Sequence, residues 1–190
     1  MRNLALMGKA RSGKDTVAAR LTVEHGYERV AFADPLKDMA LSINPIVASD
    51  GIGPFRLKPL VAAYGWERAK DEYTEVRRIL QTVGQSIRSY DPDYWVNVAM
   101  RTITERTLTK RAPVVVTDVR YPNEAEALRV RGFILVRVVR PGRPDALTPA
   151  EQAASAHTSE VALDDWTPDV LIFNGGSLAE LDQRVDALMS

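Results

Sequence analysis

Residues 1–17, MRNLALMGKARSGKDTV, decide how the rest of the chain is read. A short apolar run, Leu4-Ala5-Leu6-Met7, ends at Gly8. A basic loop follows (Lys9, Ala10, Arg11, Ser12, Gly13), and Lys14-Asp15-Thr16 opens a stretch of helical composition. Strand, glycine loop and helix in that order, at GxxxxGK spacing, predict a phosphate-binding loop. Gly8 and Gly13 can take backbone conformations closed to other residues, so successive N–H groups can turn inward around phosphate oxygens. The helix N-terminus adds its positive end, and Lys14 brings an ammonium to the β- and γ-phosphates. The residue after such a lysine is ordinarily Ser or Thr; here it is Asp15, with Thr16 one place later. Either can offer a hard oxygen to Mg²⁺, directly or through water, although the carboxylate also adds negative charge beside the phosphates. The competing reading is a glycine turn that merely joins strand to helix.

A length of 190 residues suits one domain with a proper core, and 45% hydrophobic with 26% charged residues is a globular composition. Lys plus Arg and Asp plus Glu balance at 25 each, which excludes a general nucleic-acid coat. Any phosphate ligand must then be met by locally clustered cations. The chain has no cysteine, so disulfides, thiolate catalysis and Cys-based zinc sites are excluded; His25 and His157 are too few and too far apart for a metal cluster. No charged-then-apolar leader precedes the first strand and no apolar run reaches membrane-spanning length. The expectation is a soluble, cytoplasmic protein with no membrane or nucleic-acid partner.

Past the loop, a helix is expected over 14–24, stopping near Gly26, and a strand over 29–33. Asp34 reads as an N-cap with Pro35 at the first helical position, followed by Leu36, Met39, Ala40 and Ile43 at helical spacing. Residues 44–59, rich in Gly and Pro, read as a long mobile loop, part of a flexible insertion over about 44–66. Residues 66–90 and 93–109 read as helices. Pro113–Thr117 is a continuous apolar strand of the kind buried in a parallel sheet, and it ends at Asp118. A helix over 121–131, a strand over 133–139, a polar lid-like connection over about 140–158, a strand over 170–173 and a closing helix over 177–189 complete the chain. Strands alternating with helices behind a phosphate loop predict a single three-layer α/β/α domain with a mainly parallel sheet.

In the helix ending at Tyr90, the apolar residues Val76, Ile79, Leu80, Val83, Ile87 and Tyr90 share one face, expected to pack on the core. Arg77, Gln81, Gly84 and Arg88 form a second stripe, about 120° around from the first. Arg77 is therefore a site candidate, whereas Arg78, opposite the apolar face, should be solvated. The competing reading makes Arg77 and Arg88 ordinary amphipathic-helix residues reaching water. Asp118, at a strand end, would border the ligand crevice of an open parallel sheet, with Arg120 two residues on; the bland reading is a turn cap. Arg137, Arg140 and Arg143 could close over phosphates or be a solvated cluster. His157, in the HTSE segment, is assigned no catalytic role.

The segments GKARSGKDT, FADPLK, Arg77-x-x-Leu80-Gln81-x-x-Gly84 with Arg88, DPDYWV, TDVRYPNE, HTSE and FNGGSLAEL, in this order, resemble the deoxynucleoside monophosphate kinases of bacteriophages across nearly the whole chain. The resemblance implies a P-loop kinase fold with lid and acceptor-binding helical segments, and transfer of the ATP γ-phosphate to a deoxynucleoside monophosphate. It implies that Gly8, Lys9, Ala10, Arg11, Ser12, Gly13, Lys14, Asp15 and Thr16 hold ATP, with Asp15 or Thr16 near Mg²⁺ and Arg140 at the donor. Asp34, Lys37, Arg77, Gln81, Arg88 and Trp95 would contact the acceptor. Asp118, also a metal candidate, and Arg120 would lie between the two nucleotides, and Asn174 to Ser177, including Gly176, would border the adenine. Lys14, Arg77, Asp118 and Arg120 are the catalytic candidates. The resemblance also suggests a homodimer and, for a phage protein, the host cytoplasm. The GKDT loop is similar to that of animal-type phosphomevalonate kinases too, so a kinase of another small phosphorylated acceptor is one alternative. A GTPase-like binding module is the other, against which stands the lack of an NKxD base-reading motif.

Overall fold

A computed structural model describes residues 2–50, 53–141 and 162–189. They fall into two compact units, one built from the described residues of 1–31 and 99–190, the other from those of 32–98.

The first unit is organised by a five-stranded parallel sheet. In chain order its elements are β1 (Leu4–Met7), α1 (Lys14–Glu24), β2 (Glu28–Val30), β5 (Val114–Val119), α6 (Pro122–Val130), β6 (Ile134–Val139), β7 (Val170–Phe173) and α7 (Leu178–Leu188). The strands lie in the order β2-β5-β1-β6-β7. Leu4 to Met7 and Val114 to Val116 are wholly buried, which is why both strands read as unbroken apolar runs. Leu4, Leu6, Val115, Val136 and Val138 form one face and pack with Val17, Ala18 and Leu21 of α1 and Leu181 and Val185 of α7. Alternation along the strands turns Ala5, Met7 and Leu135 to the opposite face. The result is the expected three-layer α/β/α arrangement. The central strand is also the switch point: from β1 the chain goes out to the β2 edge, while β6 lies on its other side. A crevice forms outside the carboxyl ends of strands at such a reversal.

The register between β1 and β5 slips, from Ala5 opposite Val116 to Met7 opposite Val119. One extra residue is accommodated on β5 around Thr117-Asp118, so the strand runs on to Val119 rather than ending at Asp118. Such a bulge re-aims a side chain at a strand end.

The second unit contains α2 (Ala33–Ile43), β3 (Ile46–Asp50), β4 (Gly53–Arg56), α3 (Leu57–Glu72) and α4 (Thr74–Tyr90). A further helix, α5 (Tyr94–Lys110), has residues in both units. Ala40, Val47, Leu57, Leu60, Ala69 and Val76 form this unit's core. Three expectations are corrected here. Residues 44–59 are not a long loop: β3 and β4 form an antiparallel hairpin, and α3 starts directly behind it. Pro54 is tolerated because each strand of a two-stranded sheet is an edge. Asn44, left-handed at the end of α2, accepts the Lys58 N–H at 2.8 Å through Oδ1, tying the ends of two helices together. Asp34 is not the N-cap of α2: the helix begins at Ala33 behind Phe32, which leaves Asp34 in the first turn. Tyr90 does not join the apolar face, since at the last residue of α4 it is 92% exposed. Among the described residues no helix is long and apolar enough to cross a membrane.

Candidate active site

The candidate phosphate loop lies between β1 and α1, and its two glycines are required by what backs them. Gly8 has φ +134°, and a Cβ there would sit 2.4 Å from the carbonyl oxygen of Val138 on β6. Gly13 has φ +104° at the N-cap of α1, and a Cβ there would sit 2.3 Å from Nδ2 of Asn174. Arg11, at the loop's turn, takes φ +59° without being glycine. Conformations of this kind place successive N–H groups on one side of the chain, the arrangement that binds anions.

Lys14 is buried, and its Nζ donates to the carbonyl oxygens of Gly8 at 2.8 Å and Lys9 at 2.7 Å. The ammonium thus lies at the loop, where a phosphate oxygen can compete with these two carbonyl acceptors. Ser12 is 4% exposed, and its Oγ has no hydrogen-bond partner. An orphaned buried hydroxyl inside such a loop fits an oxygen-rich ligand. Lys9 points outward to Asp164, Nζ to Oδ2 2.6 Å, an exposed pair of small energetic weight. Asp15 is exposed and Thr16 half-buried in the first turn of α1.

At the end of β5, Asp118 and Arg120 are half-buried, and the turn that carries them is held by a residue to which sequence reasoning assigned no role. Glu124, 1% exposed, accepts the main-chain N–H of Arg120 at 2.8 Å and of Tyr121 at 3.1 Å through Oε2. The signal was present in the sequence: a glutamate two places after the proline that opens a helix has the spacing of a capping carboxylate. At the end of β6, Arg137 donates to the carbonyls of Leu163, Asp164 and Trp166, so it braces that turn rather than reaching for phosphate. Arg140 is exposed. Arg143, His157 and most of the lid-like connection lie outside the described residues. At the end of β7, Asn174 donates from Nδ2 to the Ser12 carbonyl at 2.9 Å, and Gly176 is exposed beside it.

The other candidates all lie in the second unit. Lys37 is 3.9 Å from Asp34, one turn away, and its ammonium lies 5.8 Å from the centre of the Trp66 ring. Arg77 donates from Nε to the Lys70 carbonyl and from Nη2 to Asp71 at 2.6 Å, closing the corner between α3 and α4. Gln81 and Arg88 are half-buried on the same helix, while Arg78 is solvated and paired with Glu75. Gly84 marks a close approach between helices: a Cβ there would meet Leu36 of α2 at 3.3 Å. Trp95 is 3% exposed and donates Nε1–H to the Gly84 carbonyl, so it supports α4 from within the unit instead of presenting a face to a ligand.

Hard oxygens are the donor type that Mg²⁺ prefers, and it keeps several waters while bound by one or two carboxylates and substrate phosphates. Asp15, Thr16 and Asp118 fit that chemistry. Among the described residues no three acidic or histidine side chains gather into a cage, an arrangement Mg²⁺ in phosphoryl transfer does not need.

Comparison with known proteins agrees in kind. A family model described as deoxynucleotide monophosphate kinase matches residues 60–185. The deoxynucleotide monophosphate kinase of Enterobacteria phage T4 is 27% identical over 117 residues, 60% of this chain and 45% of its own length. A relative from Acanthamoeba polyphaga mimivirus is 27% identical over 199 residues, covering 96% of this chain and 93% of its own. Four of the curated relatives are matched over only about half their length. Among solved structures, TT1252 from Thermus thermophilus superposes with a TM-score of 0.51 at 18% identity, covering 100% of this chain and 97% of that one. That likeness concerns the fold alone.

Proposed function

Because this chain belongs to the deoxynucleotide monophosphate kinase family, we propose that it transfers the γ-phosphate of ATP to a deoxynucleoside monophosphate. The observation that carries the donor half is the Lys14 ammonium stored on the carbonyls of Gly8 and Lys9 inside a glycine loop. The family carries the acceptor half.

The acceptor phosphate has a second pKa near 6 and is mostly dianionic at neutral pH, so no general base is needed. The obstacle is bringing two polyanions into line, which is solved by positioned cations and exclusion of water. Lys14 leaves its carbonyl partners for the β- and γ-phosphate oxygens, and the loop N–H groups hold the rest of the triphosphate. Asp15 or Thr16, with Asp118, would hold Mg²⁺, which supplies charge neutralisation on the phosphates. Arg120, set by Glu124, neutralises charge that develops on the transferred group. Lys37, Gln81 and Arg88 contact the acceptor. Arg77 acts chiefly as a brace, since Asp71 and the Lys70 carbonyl already occupy two of its donors.

The test is ADP production from ATP with each of the four deoxynucleoside monophosphates, and with phosphomevalonate as the competing acceptor. ADP release stimulated by at least one deoxynucleotide, and not by phosphomevalonate, is the expected result. Slow hydrolysis that no monophosphate stimulates would defeat the proposal.

A further inference from the structure

Asn174 stands 162 positions from Ser12 in the chain, yet its side-chain Nδ2 donates to the Ser12 carbonyl oxygen at 2.9 Å. A carbonyl only accepts, so the amide nitrogen and not its oxygen faces the loop. Asn174 is itself fixed, because its main-chain N–H donates to the Val139 carbonyl at 2.7 Å. The same amide fills the space that a side chain at Gly13 would need, with Nδ2 2.3 Å and Cγ 3.3 Å from the Cβ position there. One residue at the end of β7 therefore grips the Ser12–Gly13 peptide by its carbonyl and covers its α-carbon. In a planar trans peptide the N–H points opposite to the C=O, so fixing the Ser12 carbonyl fixes the direction of the Gly13 N–H. That N–H is one of the groups a phosphate-binding loop aims at its ligand.

We propose that Asn174 is a positioning residue of the phosphate loop: it sets the Ser12–Gly13 peptide for the donor's phosphates and does not read the adenine base. This rests on the reading of residues 8–16 as the seat of the ATP phosphates. The two roles separate cleanly. A base reader affects nucleotides only, whereas a loop-positioning residue affects any polyphosphate that occupies the loop.

The experiment is calorimetric titration of the full chain with ATP and with inorganic tripolyphosphate, for wild type, Asn174→Ala and Asn174→Leu. Leucine keeps the side-chain bulk and removes the donor, so it serves if the alanine variant does not fold. Both variants are expected to lose about tenfold in affinity for tripolyphosphate and for ATP alike, the worth of one directed hydrogen bond. Loss of ATP affinity with tripolyphosphate affinity unchanged would overturn the proposal in favour of base reading. Unchanged affinity for both ligands would overturn it in favour of a merely structural contact. A wild-type chain that binds neither ligand would defeat the donor-site reading itself.

Discussion

Glu124 holds Arg120 by its backbone: the buried carboxylate accepts the Arg120 N–H at 2.8 Å, four residues back along the chain. The same oxygen takes the N–H of Tyr121, so one carboxylate ties two successive N–H groups of the turn leaving β5. Glu124→Ala leaves two main-chain donors without that acceptor and should cost about 2 kcal/mol of stability. It should also lower kcat, because Arg120 loses its fixed origin. Glu124→Gln keeps an acceptor oxygen and should recover most of both. Chemical denaturation alongside steady-state kinetics checks this; equal kcat for Ala and wild type would show that the turn does not position Arg120 for catalysis.

Lys14→Ala should lower turnover by about 10²–10³-fold, the usual effect of removing one preorganised charge-stabilising donor. Two of its hydrogen bonds go to carbonyl oxygens of the loop itself, and the melting temperature should move by only a few degrees. Kinetics with a parallel melting curve measure both. Near-normal turnover would remove the phosphate loop from the mechanism.

Activity should require Mg²⁺ and vanish with a chelator. On the proposed reading Asp15 would place a carboxylate beside the phosphates, which is favourable only with a cation between them. Asp15→Ala should therefore weaken the dependence of rate on Mg²⁺ concentration. A Mg²⁺ titration of both proteins gives the answer; superimposable curves would take Asp15 out of the metal's surroundings.

Asp186 on α7 accepts hydrogen bonds from Arg20 of α1 at 2.8 Å and pairs with His25 at 2.7 Å. These bonds, that from Arg20 foremost, bring its carboxyl down from 3.8 to about 2. A carboxyl that is more acidic folded than unfolded stabilises the fold above its unfolded pKa. That contribution is lost as pH falls from about 4 toward 2. Melting temperature should accordingly drop over this interval, and Asp186→Asn should flatten the drop while lowering stability at neutral pH. Parallel acid profiles of the two proteins would refute the assignment.

Much of the first unit was legible because its signals are local. Leu4–Met7 and Val114–Val116 are apolar runs covered on both faces, and such burial writes itself into the sequence residue by residue. Gly8, Gly13 and Lys14 carry the loop in their spacing. Pro122 and Gly132 punctuate α6 where expected, Gly132 with φ +76°. The antiparallel pair of strands over 46–50 and 53–56 was not legible, since it exists only through mutual pairing and its Gly and Pro content imitates a loop. Trp95 could not be told apart from a ligand contact until its indole was seen bonded to the Gly84 carbonyl inside the unit.

For the opening stretch the division is plain. Sequence alone singled out residues 8–14 as the proposed seat of phosphate, because glycine freedom, the helix terminus and the lysine all lie within one short segment. Only the tertiary structure decided why its glycines admit no substitute and what aims its N–H groups. Those constraints come from Val138 and Asn174, residues distant in the chain that the parallel sheet brings against the loop at the ends of β6 and β7.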